Sequence, residues 1–235
     1  MSRAPIAVAL DAPDLATLSA WAGAVAPHVS TLKVGLETYL RDGRDAVAAA
    51  RTAAPSCALF LDLKLHDIPA TVAGAARAVS DLAPDYLTVH ASGGPALVSA
   101  AAEALPDTRI VAVTVLTSLS TQDLQALDLL GPEAGNAGAL AVHLATSAVD
   151  AGARAIVCSP QEVGDVRSAL AGRDVILITP GVRPAGSDAG DQRRIATPRE
   201  AIARGADLLV IGRPITAAAD PGAAAAAIAS DLTDA

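Results

Sequence analysis

The chain repeats one pattern eight times: a short run rich in β-branched and aliphatic residues, then a longer apolar stretch rich in alanine. The runs are IAVALD (6–11), TLKVGL (31–36), CALFLDLKL (57–65), YLTVHA (86–91), RIVAVTVL (109–116), ARAIVCS (153–159), DVILITPG (174–181) and LLVIGRP (208–214). The stretches between them, such as DLATLSAWAGAVA and ATVAGAARAVSDL, have helical length and periodicity. Strands alternating with helices build a parallel sheet covered by helices. Eight unbroken units in 235 residues predict an α/β (β/α)8 TIM barrel, for which about 250 residues is typical. A doubly wound open sheet is the alternative. The first βα turn lacks G-x-G-x-x-G, which removes the usual dinucleotide-binding form of that sheet. No linker, low-complexity segment or charge block interrupts residues 1–235, so one domain is expected.

Local signals agree with this pattern. Thr197-Pro198 before Arg199-Glu200 reads as an N-cap with proline in the first turn. Gly152 and Gly205 stand where helices should stop. The Ala-rich tail after Ile215 reads as a helix that closes the barrel.

Hydrophobic residues make up 52% of the chain but aromatics only 2%, so Ala, Val, Leu and Ile must build the core. Such residues suit parallel strands buried on both faces. The net charge of −8 argues against a nucleic-acid or membrane-surface partner. An anionic ligand would need positive charge gathered locally. Cys57 and Cys158 each sit in an apolar run and read as buried thiols, with no metal-type Cys/His spacing around them. The start, MSRAPIAVALD, runs directly into a strand with no secretory signal or long apolar span, so a cytoplasmic protein is expected.

Active sites of such barrels lie at the C-terminal ends of the strands. Polar residues gather there: Asp11, Lys33, Asp62, Lys64, His90, Thr117, Ser118, Gly181, Arg183, Gly212 and Arg213. The segment FLDLKLHDIPATV on strand 3 is the most informative. Strand side chains alternate. Leu59, Leu61, Leu63 and Leu65 therefore face the helices, while Asp62, Lys64 and His66 face the barrel interior. Opposite charges on an inward face are costly unless paired, so a purely structural ion pair is the bland reading. The chemical reading adds Asp67, just beyond the strand, where it can turn back or reach a neighbour. Lys33 on the adjacent strand would extend the set to an alternating Lys-Asp-Lys-Asp row. Alternation keeps each ammonium protonated and fixed in place.

DLKLHDIPAT resembles the signature of the orotidine 5'-phosphate decarboxylase family. ALDAPD, LKVGLETYL, TVHASGG, AVTVLTS, PGVRPAGSDAGDQRRIATP and VIGRPIT are similar to its motifs on strands 1, 2, 4, 5, 7 and 8, so the resemblance covers most of the chain. It implies loss of the C6 carboxylate of orotidine 5'-monophosphate to give uridine 5'-monophosphate, the last step of UMP synthesis. No metal, thiamine, pyridoxal or pyruvoyl group is implied. Lys64 would stabilise negative charge at C6 and donate the proton. Asp62 would lie near the departing carboxylate; the ground-state strain this creates ranks below stabilisation by Lys64. Asp67 would orient Lys64 and meet the ribose, with Ile68 beside it.

The resemblance also implies a homodimer in which Asp67 and Thr71 reach the partner's site. Asp11 and Lys33 match residues that bind ribose hydroxyls. Thr117 and Ser118 match a pair near the pyrimidine. Arg183, Gln192, Gly212 and Arg213 match residues around the phosphate, and loop 182–196 resembles a lid over it.

Several of these residues have plainer readings. Asp11 could cap the helix of DLATLSAW, and Ser118 the helix of TQDLQAL. His66 and His90 read as structural hydrogen-bonding histidines. Two related enzyme types use a metal: one places Glu-x-Gly on strand 2, where this chain has Lys33-Val34-Gly35, and the other needs His-x-Asp there, which is absent. A non-catalytic nucleotide-binding barrel is the remaining alternative. The Gly-rich stretch 131–139 matches no motif.

Overall fold

The β-rich runs become eight strands that are hydrogen-bonded in chain order and closed into a barrel in a computed structural model. The strands are β1 (Ala4–Ala9), β2 (Val29–Gly35), β3 (Ala58–Leu65), β4 (Tyr86–His90), β5 (Arg109–Val113), β6 (Ala155–Val157), β7 (Ile176–Thr179) and β8 (Leu208–Ile211). All neighbours are parallel, and the pairs Ile6–Leu209, Ala7–Val210 and Val8–Ile211 join β1 to β8. Closure rules out the open doubly wound sheet. Residues 3–130, 135–184 and 196–233 are described.

Alternation along each strand divides the core in two. Val8, Leu32, Val34, Leu59, Leu61, Leu87, Val89 and Ile156 face outward and pack with helix residues such as Leu18, Val47, Val72 and Leu97. Ala7, Phe60, Val111, Ala155, Ile178 and Leu208 face inward and fill the barrel. Leu61 is fully buried, and truncating such a leucine to alanine costs about 2–5 kcal/mol. Phe60, the chain's single phenylalanine, packs tilted against Tyr86 with ring centroids 5.6 Å apart. The strand-3 leucines follow the expected face: Leu63 and Leu65 are half-buried but still pack on the outer core.

The helix signals hold. Thr197 caps the helix Pro198–Ala203 through a reciprocal box with Glu200. Gly152 and Gly205 both have positive φ just past helix ends. The tail forms the helix Pro221–Thr233, which packs on the first helix, Leu15–Val25. Most strands end earlier than their β-rich runs: β1 stops at Ala9 and β8 at Ile211. The residues beyond leave the sheet for the polar mouth, which frees Asp11, Gly212 and Arg213 from the ladder. Cys158 is buried, and burial pushes its thiol up to about 12. Cys57 is only partly buried, and its thiol points at the carbonyls of Ala26 and Val29.

Candidate active site

Asp62 is the centre of the site. It follows Phe60 on the inward face of β3 and is 7% exposed. Lys64 Nζ lies 2.8 and 2.9 Å from its two carboxylate oxygens, and Lys33 Nζ lies 3.1 Å from Oδ2. Burial alone would raise the Asp62 pKa, but Lys33 and then Lys64 outweigh it and hold the carboxyl at about 2. Burial opposes the charge on Lys33 too. Asp62 and then Asp11 overcome this, so the ammonium ends above the ordinary lysine value. At neutral pH Asp62 and Lys33 are therefore both ionised.

Lys64 departs from a regular strand. Its φ is +49°, in the left-handed region that side chains other than glycine rarely adopt. The β3–β4 register passes from Leu61–Leu87 to Leu65–Val89, so Asp62, Leu63 and Lys64 stand opposite Thr88 alone. This bulge is the local reason the lysine turns over its own aspartate. Thr88 is fully buried. Its hydroxyl accepts the Lys64 backbone N–H at 2.7 Å and donates to Asp62 Oδ1 at 3.0 Å.

Within one chain Asp67 does not join the charge row. Asp67 Oδ1 accepts from the Ile68 backbone N–H at 2.6 Å, and Asp67 forms no ion pair among the described residues. Asp67, Ile68 and Thr71 are all exposed at the start of the helix Pro69–Ala78. Proline at position 69 opens a helix there, and the chain leads away from the barrel axis instead of folding back on Lys64. The row within one chain is thus Asp11–Lys33–Asp62–Lys64, with Asp11 Oδ1 at 4.0 Å from Lys33 Nζ. Asp11 does not cap the first helix; Asp14 does, accepting the Thr17 N–H at 2.7 Å.

Gly35, at the end of β2, explains how this row fits. A Cβ on it would lie 2.8 Å from both Asp11 Oδ1 and Lys33 Nζ. Any side chain would push the two charged ends away from their places.

A cavity of about 270 Å³ opens beside the row. Asp62, Lys64, Thr117 and Ser118 form its polar side; Phe60, Val113, Val115, Val157, Val210 and Pro180 form much of the rest. Neither Thr117 nor Ser118 caps the next helix, because Ser120 does so in a box with Asp123. Arg183 is buried and donates to the Val182 carbonyl at 3.0 Å. Gly212 and the exposed Arg213 follow β8 directly. These three do not line the cavity. Gln192 and most of the loop expected to act as a lid lie outside the described residues, as do residues 131–134. The ends of that loop are joined by a bridge between Val182 and Ala196.

The histidines behave differently from expectation. His66 is exposed, and its ring packs against that of His90 with centroids 5.1 Å apart. Neither imidazole hydrogen-bonds to a described residue. Burial, then His66 and Lys64, lower the His90 pKa, so it is neutral at physiological pH. Thr88 and Gly35 escaped the sequence reading as site residues. Thr88 was accessible in principle, because it shares a strand face with His90.

A closed parallel barrel with a row of paired charges at its C-terminal mouth and a small cavity beside it has the layout of a barrel enzyme's active site. The sequence family narrows this class. The chain belongs to the Orotidine 5'-phosphate decarboxylase / HUMPS family, whose model matches residues 4–228. It is 66% identical to the orotidine 5'-phosphate decarboxylase of Thermobifida fusca, over 97% of this chain and 96% of that protein. It is 54% identical to the enzyme of the same name from Frankia casuarinae, over 98% and 88%. The crystal structure of orotidine 5'-phosphate decarboxylase from Lactobacillus acidophilus superposes with a TM-score of 0.80 at 32% identity, covering 97% of this chain and 99% of that one.

Proposed function

We propose that this chain decarboxylates orotidine 5'-monophosphate to uridine 5'-monophosphate and CO2 as the last step of UMP synthesis, without metal or organic cofactor. The observation that carries the reading is Lys64 Nζ held on Asp62 at the wall of the cavity. A pyrimidine ring seated there would present C6 and its carboxylate to this pair. Loss of CO2 leaves the bonding electrons on C6, and the Lys64 ammonium is the charge that stabilises them and the acid that supplies the proton. Asp62 repels the substrate carboxylate and favours its departure, a smaller contribution. The Lys33 ammonium pairs with Asp62 from the other side and helps keep it ionised.

In this reading Asp11 and Lys33 meet the ribose hydroxyls, and Thr117 and Ser118, which line the cavity, meet the ring edge. Gly212 and Arg213, with Arg183 and Gln192, hold the phosphate in this reading; phosphate sites after strands 7 and 8 recur in the fold. The working form is a cytoplasmic homodimer. Asp67 and Thr71 are exposed in the single chain, and Ile68 between them is 67% exposed. An exposed aliphatic group beside unused site residues is what a second subunit would cover, bringing Asp67 to the Lys64 of its partner.

The test is the ultraviolet absorbance of orotidine 5'-monophosphate on adding the protein, with and without EDTA. Decay to the uridine monophosphate spectrum, unaffected by chelation, is expected. Binding without spectral change would favour a nucleotide sensor, and activity lost with EDTA a metal-dependent relative.

A further inference from the structure

We infer that Thr88 is the positioning residue for the reactive pair, acting through Lys64 and Asp62 at once; the inference rests on the decarboxylase reading above. A hydroxyl has one proton to give. The Lys64 backbone N–H can only donate, so Thr88 Oγ1 accepts it. The ionised Asp62 carboxylate can only accept, so the Thr88 proton goes to Asp62 Oδ1. The chain of bonds therefore has a single direction, from the Lys64 amide through Thr88 to Asp62, and Asp62 in turn receives the Lys64 ammonium. Backbone and side-chain ends of the lysine are tied to one anchor.

The bulge explains why an anchor is needed. With Asp62, Leu63 and Lys64 opposite a single residue of β4, the regular ladder is interrupted, and the Lys64 amide goes to a side-chain oxygen. A buried amide without a partner is rare and costly. The left-handed Lys64 backbone is also strained, and such conformations persist only where their surroundings hold them. Thr88 answers both needs from a fully buried position behind the cavity wall. It does not line the cavity, so its effect should fall on the chemical step and not on nucleotide affinity.

Thr88→Val keeps shape and removes the hydroxyl. Single-turnover decarboxylation is expected to slow by about 10- to 100-fold, with affinity for uridine monophosphate close to that of the unchanged protein. Thr88→Ser returns the hydroxyl and should restore most of the lost rate. Full-rate turnover by Thr88→Val overturns the inference, as does Thr88→Ser failing as badly. Hydrogen exchange of the Lys64 amide, followed by NMR, reads the anchor without any catalysis. Slow exchange in the unchanged protein is expected. Exchange as fast as in an exposed loop overturns the inference, and this holds even where Thr88→Val does not fold or the protein proves not to decarboxylate.

Discussion

Lys64 Nζ reaches both carboxylate oxygens of Asp62, at 2.8 and 2.9 Å, although the two residues are only two apart on one strand. A regular strand would space such side chains side by side and roughly parallel. Here the bulge and the left-handed φ of Lys64 let the ammonium fold back over the carboxylate. Strain and burial are both spent on one ion pair that a stable barrel does not require. The structural-pair reading explains the charge balance but not the bulge.

Gly35→Ala separates site from scaffold. The added methyl meets only the ends of Asp11 and Lys33, which can swing away. Melting temperature should change little, while turnover of orotidine 5'-monophosphate should fall by about 10- to 100-fold through displacement of the row. Thermal unfolding and steady-state kinetics on the same preparation check both halves. Equal turnover would show that Asp11 and Lys33 tolerate displacement.

Asp62 should leave a mark on acid stability. Its carboxyl sits at about 2 in the fold against a reference of 3.8. Between these values the unfolded chain binds the proton and the folded chain does not, so stability rises with pH. The contribution, about 2 kcal/mol, is complete above about pH 4 and lost as pH falls through about 2. Urea unfolding of the unchanged protein and Asp62→Asn across pH 2–5 should show a shallower acid slope in the variant. Identical slopes would mean that Asp62 is not held as described.

Much of this was legible beforehand because it depends on spacing alone. Eight runs at regular intervals force the barrel, and period two puts Phe60 and Asp62 inward with Leu59 and Leu61 outward. Lys64 was right in destination but not in route, since a bulge has no signature in residue type when no glycine marks it. Thr88 looked like any β-branched strand residue; only the register shift gives its hydroxyl two partners. Asp67 was expected either to turn back or to reach a neighbour; in the single chain it does not fold back on Lys64, and proline at 69 opens a helix there. His66 follows the same bulge, which takes it off the inward face and onto His90.

Shared sites predict complementation. Asp67→Asn and Lys64→Ala should each be nearly inactive alone. In a mixed dimer one of the two sites regains both residues. Random mixing of equal amounts should then recover about a quarter of full activity. Verified mixed dimers with no recovery would assign Asp67 to its own chain or to no role.

The most direct test is Lys64→Ala, with single-turnover decarboxylation and uridine monophosphate binding measured on the same folded protein. Turnover should all but vanish while the nucleotide still binds, because the proposed phosphate and ribose contacts lie elsewhere. Undiminished decarboxylation by Lys64→Ala would contradict the claim that this ammonium stabilises and protonates C6.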